Sequence, residues 1–540
     1  MAGLAAAFGS GAMTNSVPEF SAHSRCFLIT GSNTTEAHPL VASHVLKAQA
    51  RGAKIIVIDP REVQIGRLAD IYIRCRPGTN VAWLNGLMNV IITEGLEDKA
   101  FINERTEGYK ELRAAVKEYT PKRVEEIVGI PADDLRAAAR MYAQNKPAAI
   151  LYAMGITQHT TGTDSVKSVA NLAMLTGNMG IPGGGVNPLR GQNNVQGACD
   201  LGGLPNVYPG YQKVTLPEMK EKFEKAWHVT GLSDTIGLTV TEMLQSALQG
   251  NLRGLYVMGE NPMLSDPDVN HVRRCLEKLD FLVVQDIFLT ETAQLADVVL
   301  PGTSYAEKDG TFTATDRRVQ RVRKAIEPLG ASKPDWEIIG MLAQNMDCTD
   351  FSYDSVEQIF NEMAEVTPQY SGIRYSKLEE TSQQWPCPDP DSLGTQILHV
   401  GTFAKGKGSF LPIAFKEAAE LPDTRYPYTL TTGRIMFQFH TGTMSRRSPN
   451  LNNEVKEAFV EINPKDADGI GIRNEEYIKI ISRRGEIKVR AKVTERVGKG
   501  IVFIPFHFAE SAANVLTNPA LDPVAKIPEF KVCAVAIEAL

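Results

Sequence analysis

The feature that most constrains this chain is a pair of short apolar runs, Arg25-Cys-Phe-Leu-Ile-Thr30 and Lys54-Ile-Ile-Val-Ile-Asp-Pro60, with a helix-like segment from Pro39 to Gly52 between them. Runs this short and this apolar are those of strands buried on both faces, and a strand–helix–strand series builds parallel sheet. The first run ends in the polar loop Gly31-Ser-Asn-Thr-Thr-Glu-Ala-His38, and the second carries Asp59 at its C-terminal end. The rhythm continues. Residues 80–95 and 131–145 read as helices, 147–157 as an apolar strand, and 164–176 as a helix stopped near Gly177. Further on, Gly254-Leu-Tyr-Val-Met-Gly259 and Phe281-Leu-Val-Val-Gln-Asp286 read as strands with a helix between them, and Ala296-Asp-Val-Val-Leu-Pro301 as a third. From Tyr426 onward the pattern becomes strand-rich. Ile478-Lys-Ile-Ile-Ser and Glu486-Ile-Lys-Val-Arg-Ala flank the turn Arg483-Arg-Gly485, and Gly500-Ile-Val-Phe-Ile-Pro505 and Cys533-Ala-Val-Ala-Ile add strands. The expected fold class is α/β: Rossmann-like βαβ parallel-sheet domains followed by a small C-terminal β-barrel.

A chain of 540 residues is too long for one core, so several domains are expected. The pattern divides into an α/β domain over 1–190, a second α/β domain over 191–345, an irregular connecting segment over 346–424, and the barrel over 425–540. Residues 177–210 hold too much Gly, Pro and Asn for regular structure and read as a long loop system. Long loops in compact domains are functional or disordered, and the few charges here favour the ordered case.

The net charge of −6 argues against a general nucleic-acid binder. It leaves room for a small anion, which needs only a few local Arg, Lys and N–H groups. No apolar stretch reaches the roughly 18 residues of a spanning helix. The start, Met1-Ala-Gly-Leu-Ala-Ala-Ala-Phe-Gly-Ser10, lacks the basic region of a signal peptide. A cytoplasmic location, without a direct membrane span, is the expectation. The seven cysteines stand at 26, 75, 199, 275, 348, 387 and 533, with no Cys-x-x-Cys among them. That pattern fits free thiols in a reducing compartment rather than a local zinc or iron–sulfur site.

Ligands of open α/β sheets bind outside the carboxyl ends of the strands. Polar clusters fall at such ends: Gly31-Ser-Asn33, Asp59-Pro-Arg61, Gly259-Glu-Asn261 and Gln285-Asp286. A strand-end Asp is more often a cap than a nucleotide ligand, but several such ends in one chain point to a large nucleotide-bearing ligand. No Gly-x-Gly-x-x-Gly follows these strands and no Walker-type Gly-Lys-Ser/Thr occurs, so an ordinary NAD or ATP site is not indicated. In the loop, Arg190 stands beside Gln192, Asn193 and Asn194. Its planar fork matches a carboxylate, and bracing loop carbonyls is an equally good reading of the residues alone. The segment Thr431-Thr-Gly-Arg-Ile-Met-Phe-Gln-Phe-His-Thr-Gly-Thr443 is a second Gly/Thr/His/Arg loop, also readable as a capped turn. No Ser-His-Asp order or His-Glu-x-x-His helix supports hydrolase chemistry.

Several runs together resemble the molybdopterin oxidoreductase family, and within it the formate dehydrogenase alpha subunits. They are Ile29-Thr-Gly-Ser-Asn33 with His38-Pro39, Val57-Ile-Asp-Pro-Arg61, Met154-Gly-Ile-Thr-Gln158, Leu175-Thr-Gly-Asn178, Gly259-Glu-Asn-Pro262, Val284-Gln-Asp286, Ala296-Asp-Val-Val-Leu-Pro301 and His440-Thr-Gly-Thr443. The most diagnostic is Gly185-Val-Asn-Pro-Leu-Arg-Gly-Gln-Asn-Asn-Val-Gln-Gly-Ala-Cys-Asp200. The resemblance spans essentially the whole chain. It implies two pterin-binding α/β domains and a barrel of the double-psi type that binds the pterin dinucleotide. It also implies molybdenum or tungsten between two molybdopterin guanine dinucleotides. By position, Asn33, Asp59, Arg61, Met154 and Gln158 correspond to cofactor contacts, as do Asn261, Gln285, Asp286, Lys308 and Asp335 at the nucleotide-binding points. Thr432, Gly433, Arg434, His440 and Thr441, with Phe506, Asn514 and Lys531, correspond to the barrel's clamp. Arg190 corresponds to the arginine that orients formate, and Gln192 to a neighbouring pterin contact. The implied reaction is two-electron oxidation of formate to CO2, with electrons leaving through iron–sulfur, NAD- or ferredoxin-linked, deazaflavin or hydrogenase partners.

Members of that family also carry four cluster cysteines for a 4Fe–4S centre and a metal-ligating Cys or selenocysteine followed by His, at positions that correspond to residues before Met1. The expectation is an upstream selenocysteine codon read as a stop, and a 540-residue chain that binds cofactor weakly and is inactive by itself. Two other readings stay open. A nitrate reductase of the same family would also use an arginine. A non-catalytic relative, such as the large cluster-bearing subunit of respiratory complex I, would keep the fold without the pterin. The retained Lys308, Asp335, Thr432 and Lys531 speak against the second.

Overall fold

The computed structural model describes residues 1–348 and 350–540. Five strands of the first third pair in parallel: β1 (Cys26–Thr30), β2 (Lys54–Ile58), β3 (Ile71–Ile73), β4 (Ala148–Tyr152) and β5 (Val186–Pro188), in the order β3-β2-β1-β4-β5. Their sequences are apolar throughout because both faces are covered. Leu28, Ile56 and Ile150 join Phe8 and Trp83 in one core layer. Phe27, Ile29, Val57 and Leu151 join Phe20 and Val45 in the other. The helix Asn80–Thr93 is buried on all sides from Asn80 to Ile91, which is why its sequence is apolar all round.

The last third closes a six-stranded barrel. Its strands are β9 (Tyr428–Gly433), β10 (Phe459–Ile462), β11 (Tyr477–Ile481), β12 (Glu486–Val493), β13 (Ile501–Pro505) and β14 (Cys533–Ala539), ordered β9-β13-β10-β12-β11-β14. Closure removes exposed strand edges. The alternating burial of β12 packs Ile487, Val489 and Ala491 inside, against Leu430, Val460 and Ile478.

The chain folds as two compact units. The first comprises Met1–Gly191, Asp266–Asn270 and Ile397–Leu540, and therefore holds both the five-stranded sheet and the barrel. Buried polar contacts fasten them. Arg61 bonds Glu461 through Nε at 2.6 Å and Nη2 at 2.9 Å. Asp522 accepts from the Thr163 N–H at 2.9 Å and its hydroxyl at 2.8 Å. The second unit comprises Gln192–Ser265 and His271–Gln396. Its parallel sheet holds β6 (Gly254–Met258), β7 (Phe281–Asp286) and β8 (Val298–Pro301) in the order β8-β7-β6.

Three expectations change. The strand foreseen over 147–157 ends at Tyr152, and Met154–Thr157 forms a helical turn. Within the turn Gly155 lies against Gly31, where a Cβ would sit 2.4 Å from the Gly31 Cα, so this position requires glycine. The loop system over 177–210 contains β5 and the helix Val195–Asp200. Both are too short to show a period. The segment 346–424 is not uniformly irregular. It carries the helices Val356–Val366 and Tyr375–Glu380, and Gln383–Gln384 pairs with the strand Arg318–Val322. Ser355 caps the first of these by accepting from the Gln358 N–H, a signal that its Pro- and Glu-rich surroundings hid.

Candidate active site

In the five-stranded sheet the strand order reverses between β1 and β4, the place where such sheets bind ligands. Four strand ends converge there in sequence terms. Asn33 follows β1, Asp59 and Arg61 follow β2, Met154 and Gln158 follow β4, and Arg190 follows β5. The β1 and β4 loops touch backbone to backbone, with the Gly155 N–H donating to the Gly31 carbonyl at 3.0 Å.

The polar groups of this end are desolvated and only partly paired. Both side-chain polar atoms of Asn33, the Thr35 hydroxyl, His38 Nδ1 and His159 Nδ1 are buried with no hydrogen-bond partner in the protein. Such groups are costly to leave unpaired, so they mark where a polar ligand supplies the bonds. Asp59 is buried. Burial pushes its carboxyl up to about 6, against the Arg61 N–H bond at 3.0 Å and the charges of Arg61 and Lys531. Lys531 is buried too, which pulls it down to about 8, and its Nζ donates to the Thr432 carbonyl at 2.7 Å. Met154 is partly exposed and accepts from the Thr157 hydroxyl at 3.5 Å, while Gln158 ends that helical turn.

The barrel's loop closes on the same unit. The Thr432 hydroxyl donates to the Phe530 carbonyl at 2.9 Å, and Gly433 lies over the Phe503 ring. Burial pulls Arg434 down to about 10, and its Nη1 donates to His440 Nε2 at 3.2 Å. Thr441 shares a hydrogen bond with Thr443 at 3.0 Å, and Lys531 Nζ stands 6.0 Å from the Phe506 ring centre. His38 Nε2 donates to the Arg190 carbonyl at 2.7 Å. Burial pushes the Tyr152 phenol up, and the charge of Arg190 nearby opposes that shift.

Two residues expected at the site also hold the fold together. Arg61 is a fork on Glu461, stacked with its guanidinium carbon 3.9 Å from the centre of the Phe503 ring, so it ties β2 to the barrel. Asn514 lies between the core residues Ala513 and Leu516, and its Oδ1 accepts from Thr517 at 3.2 Å. Conversely, His38, Thr35, His159 and His507 belong to this end and were not singled out as site residues. Only Thr35 and His38 had a signal, their place in the polar loop after β1.

The second unit brings together Gln285, Lys308 and Asp335. Gln285 Nε2 donates to Asp335 Oδ1 at 2.7 Å, Lys308 pairs with Oδ2, and the Tyr256 hydroxyl donates to the Gln285 amide oxygen. Asn261 accepts from the Thr292 N–H at 3.2 Å and hydroxyl at 2.7 Å and donates to Glu291, while Asp286 accepts from the Ile287 N–H at 2.7 Å. Gln192 is exposed at the start of this unit. Among the described residues no group of three or more His, Cys, Asp or Glu is arranged to hold a metal ion, and no helix is long and apolar enough to cross a membrane.

The family profile for molybdopterin oxidoreductase matches residues 5–345, and that for the molydopterin dinucleotide binding domain matches 428–534. The chain belongs to the molybdopterin oxidoreductase family and carries its cofactor-binding domains. Within it, the chain is 54% identical over 539 residues to the F420-dependent formate dehydrogenase subunit alpha of Methanocaldococcus jannaschii, covering 99% of this chain and 79% of that one. It is 52% identical to the F420-dependent formate dehydrogenase 1 subunit alpha of Methanococcus maripaludis, with the same coverage. Formate dehydrogenase H of Escherichia coli is 42% identical, covering 100% of this chain and 76% of that one. Among solved structures, the acetylene hydratase of Pelobacter acetylenicus shares the fold, with a TM-score of 0.80 at 21% identity over 100% of this chain and 80% of that one.

Proposed function

We propose that this chain is the catalytic subunit of a formate dehydrogenase, oxidising formate to CO2. The carrying observation is the end of the five-stranded sheet. There Arg190 shares its unit with buried, unpartnered polar atoms of Asn33, Thr35, His38 and His159, in a chain at least 42% identical to formate dehydrogenase subunits. Those orphan donors and acceptors, with buried Asp59 and Lys531, suit a large polar cofactor. When bound, two molybdopterin guanine dinucleotides with molybdenum or tungsten supply the two-electron redox chemistry.

The chain's own residues do the rest. Asn33, Met154, Gln158, Asp59 and Lys531 hold the pterin at the first sheet, with Thr432, Gly433, Arg434, Thr441 and Phe506 from the barrel. In the second unit, Gln285, Lys308, Asp335, Asn261, Asp286 and Gln192 offer cofactor contacts of their own. Arg190 pairs with the formate carboxylate, neutralises it and fixes its direction. In the same reading the holoenzyme carries a 4Fe–4S cluster and resides in the cytoplasm, and the words F420-dependent and subunit alpha in its relatives' names suit electron transfer to a deazaflavin through partner subunits.

Arg190→Lys in the holoenzyme tests the core of this reading. A lysine keeps the charge but not the bidentate fork. Formate kcat/KM should fall about 100-fold, with metal and pterin content unchanged. Parental formate kinetics in Arg190→Lys, or a parent holoenzyme without molybdenum or tungsten, would overturn it.

A further inference from the structure

The residue that aims at the substrate must itself be held, and the peptide of Arg190 is held in an unusual way. His38 stands at the N-terminal cap of the helix Pro39–Gln49, yet its side chain makes no capping bond. Its Nε2 is instead 2.7 Å from the Arg190 carbonyl, which can only accept, so that nitrogen carries the proton. The next residue, Gly191, packs under the His440 ring. A Cβ there would sit 2.5 Å from Cε1 of that ring, so only glycine admits it.

His440 is itself fixed. Its φ of 47° is left-handed, a conformation a non-glycine residue keeps only when its surroundings hold it there. Arg434 donates to its Nε2 at 3.2 Å. The His507 Nδ1–H donates to its carbonyl, and His507 Nε2 accepts from the Ile435 N–H at 3.1 Å, which sets the His507 tautomer. We propose that His38 and His440 are positioning residues for Arg190, gripping the Arg190–Gly191 segment from the sheet and from the barrel so that the guanidinium is presented from a fixed backbone. Burial and the Arg434 charge hold both rings neutral, with pKa values of about 4, as this geometry requires. The inference rests on the formate reading only for its kinetic consequence.

The test uses the holoenzyme with its partner subunits. In His38→Ala, the formate KM rises about tenfold while kcat stays within about threefold, because the interaction lost serves ground state and transition state alike. Rates are referred to bound metal and pterin, and amide hydrogen exchange over residues 187–194 accelerates. His38→Gln, whose amide can donate to the same carbonyl, returns KM to within about threefold of the parent. His38→Ala with parental KM and parental exchange overturns the proposal. So does parental exchange over residues 187–194 with cofactor lost from both variants, which would leave His38 a cofactor ligand alone. Faster exchange in His38→Ala, in an enzyme whose parent does not oxidise formate, supports the positioning role and removes the formate reading.

Discussion

The molecule contains two parallel sheets, and they are built to opposite specifications. In β1, β2 and β4 every residue but Lys54 is buried, whereas β6 and β8 expose much of their length, including Met258 at 50% and Val299 at 39%. Their polar ends differ in the other sense. The end of the first sheet leaves Asn33, Thr35, His38 and His159 atoms desolvated and unpartnered. At the end of the second, Tyr256, Gln285, Asp335 and Lys308 satisfy one another. A buried apolar frame can carry unsatisfied polar groups at its rim, because its packing energy offsets their cost. At the second sheet most polar groups pair with one another, and the Thr303 hydroxyl after β8 is buried without a partner in the protein. The first end is therefore pre-formed for a ligand, while a ligand at the second must displace existing bonds.

Breaking the joint between first sheet and barrel should have the largest effect. Burial pushes Glu461 up, but the bonds and charge of Arg61 outweigh it and hold its carboxyl below the usual range. Arg61→Ala leaves a fully buried carboxylate without its fork and should cost about 3–5 kcal/mol, read as a large fall in Tm of the apoprotein. Next come the frames. Leu151→Ala should cost about 2–5 kcal/mol and Val299→Ala no more than about 1 kcal/mol by the same measurement. Equal losses would erase the contrast between the sheets.

The two ends should then respond with opposite signs. Gln285→Ala removes the partner of the Tyr256 hydroxyl and of Asp335 Oδ1 and should destabilise the apoprotein by about 1–3 kcal/mol. Asn33→Ala removes groups that bond to nothing in the protein. It should leave apo stability unchanged or raise it by up to about 1 kcal/mol, while pterin retention falls. Asn33→Ala that destabilises the apoprotein and spares cofactor content contradicts the ligand reading of that end. The smallest effect is acid sensitivity. His440 is held at about 4 by burial and by Arg434, against an ordinary 6.5. Between those values the unfolded chain binds the extra proton, so this contribution to stability is complete above about 6.5 and is lost as the pH falls toward 4. His440→Gln should therefore show a smaller Tm drop between pH 7 and pH 4.5 than the parent.

Much of this was legible beforehand. The longer strands of both sheets and four of the barrel's six announce themselves by apolar runs and alternation, which are local properties of residue order, whereas short strands such as β3 and β5 do not. Arg190 stood out because a lone guanidinium in a Gly/Asn/Gln loop is chemically conspicuous. The amide run beside it and the polar groups after β1 and β2 were visible for the same reason.

What residue order could not reveal is which of these groups are free to act. Arg61 reads like a ligand-binding arginine until Glu461, 400 positions away, takes its fork. His507 has no local signal at all, and its role comes from the carbonyl of His440. His38 reads as the last residue of a polar loop until the fold sets its ring on the Arg190 carbonyl. By itself the sequence determined the elements, the chemical types and the place of the arginine. Strand order, crossovers and long-range pairing decided which side chains are spent on the fold and which remain for a ligand, because a hydrogen bond depends on distance in space and not along the chain.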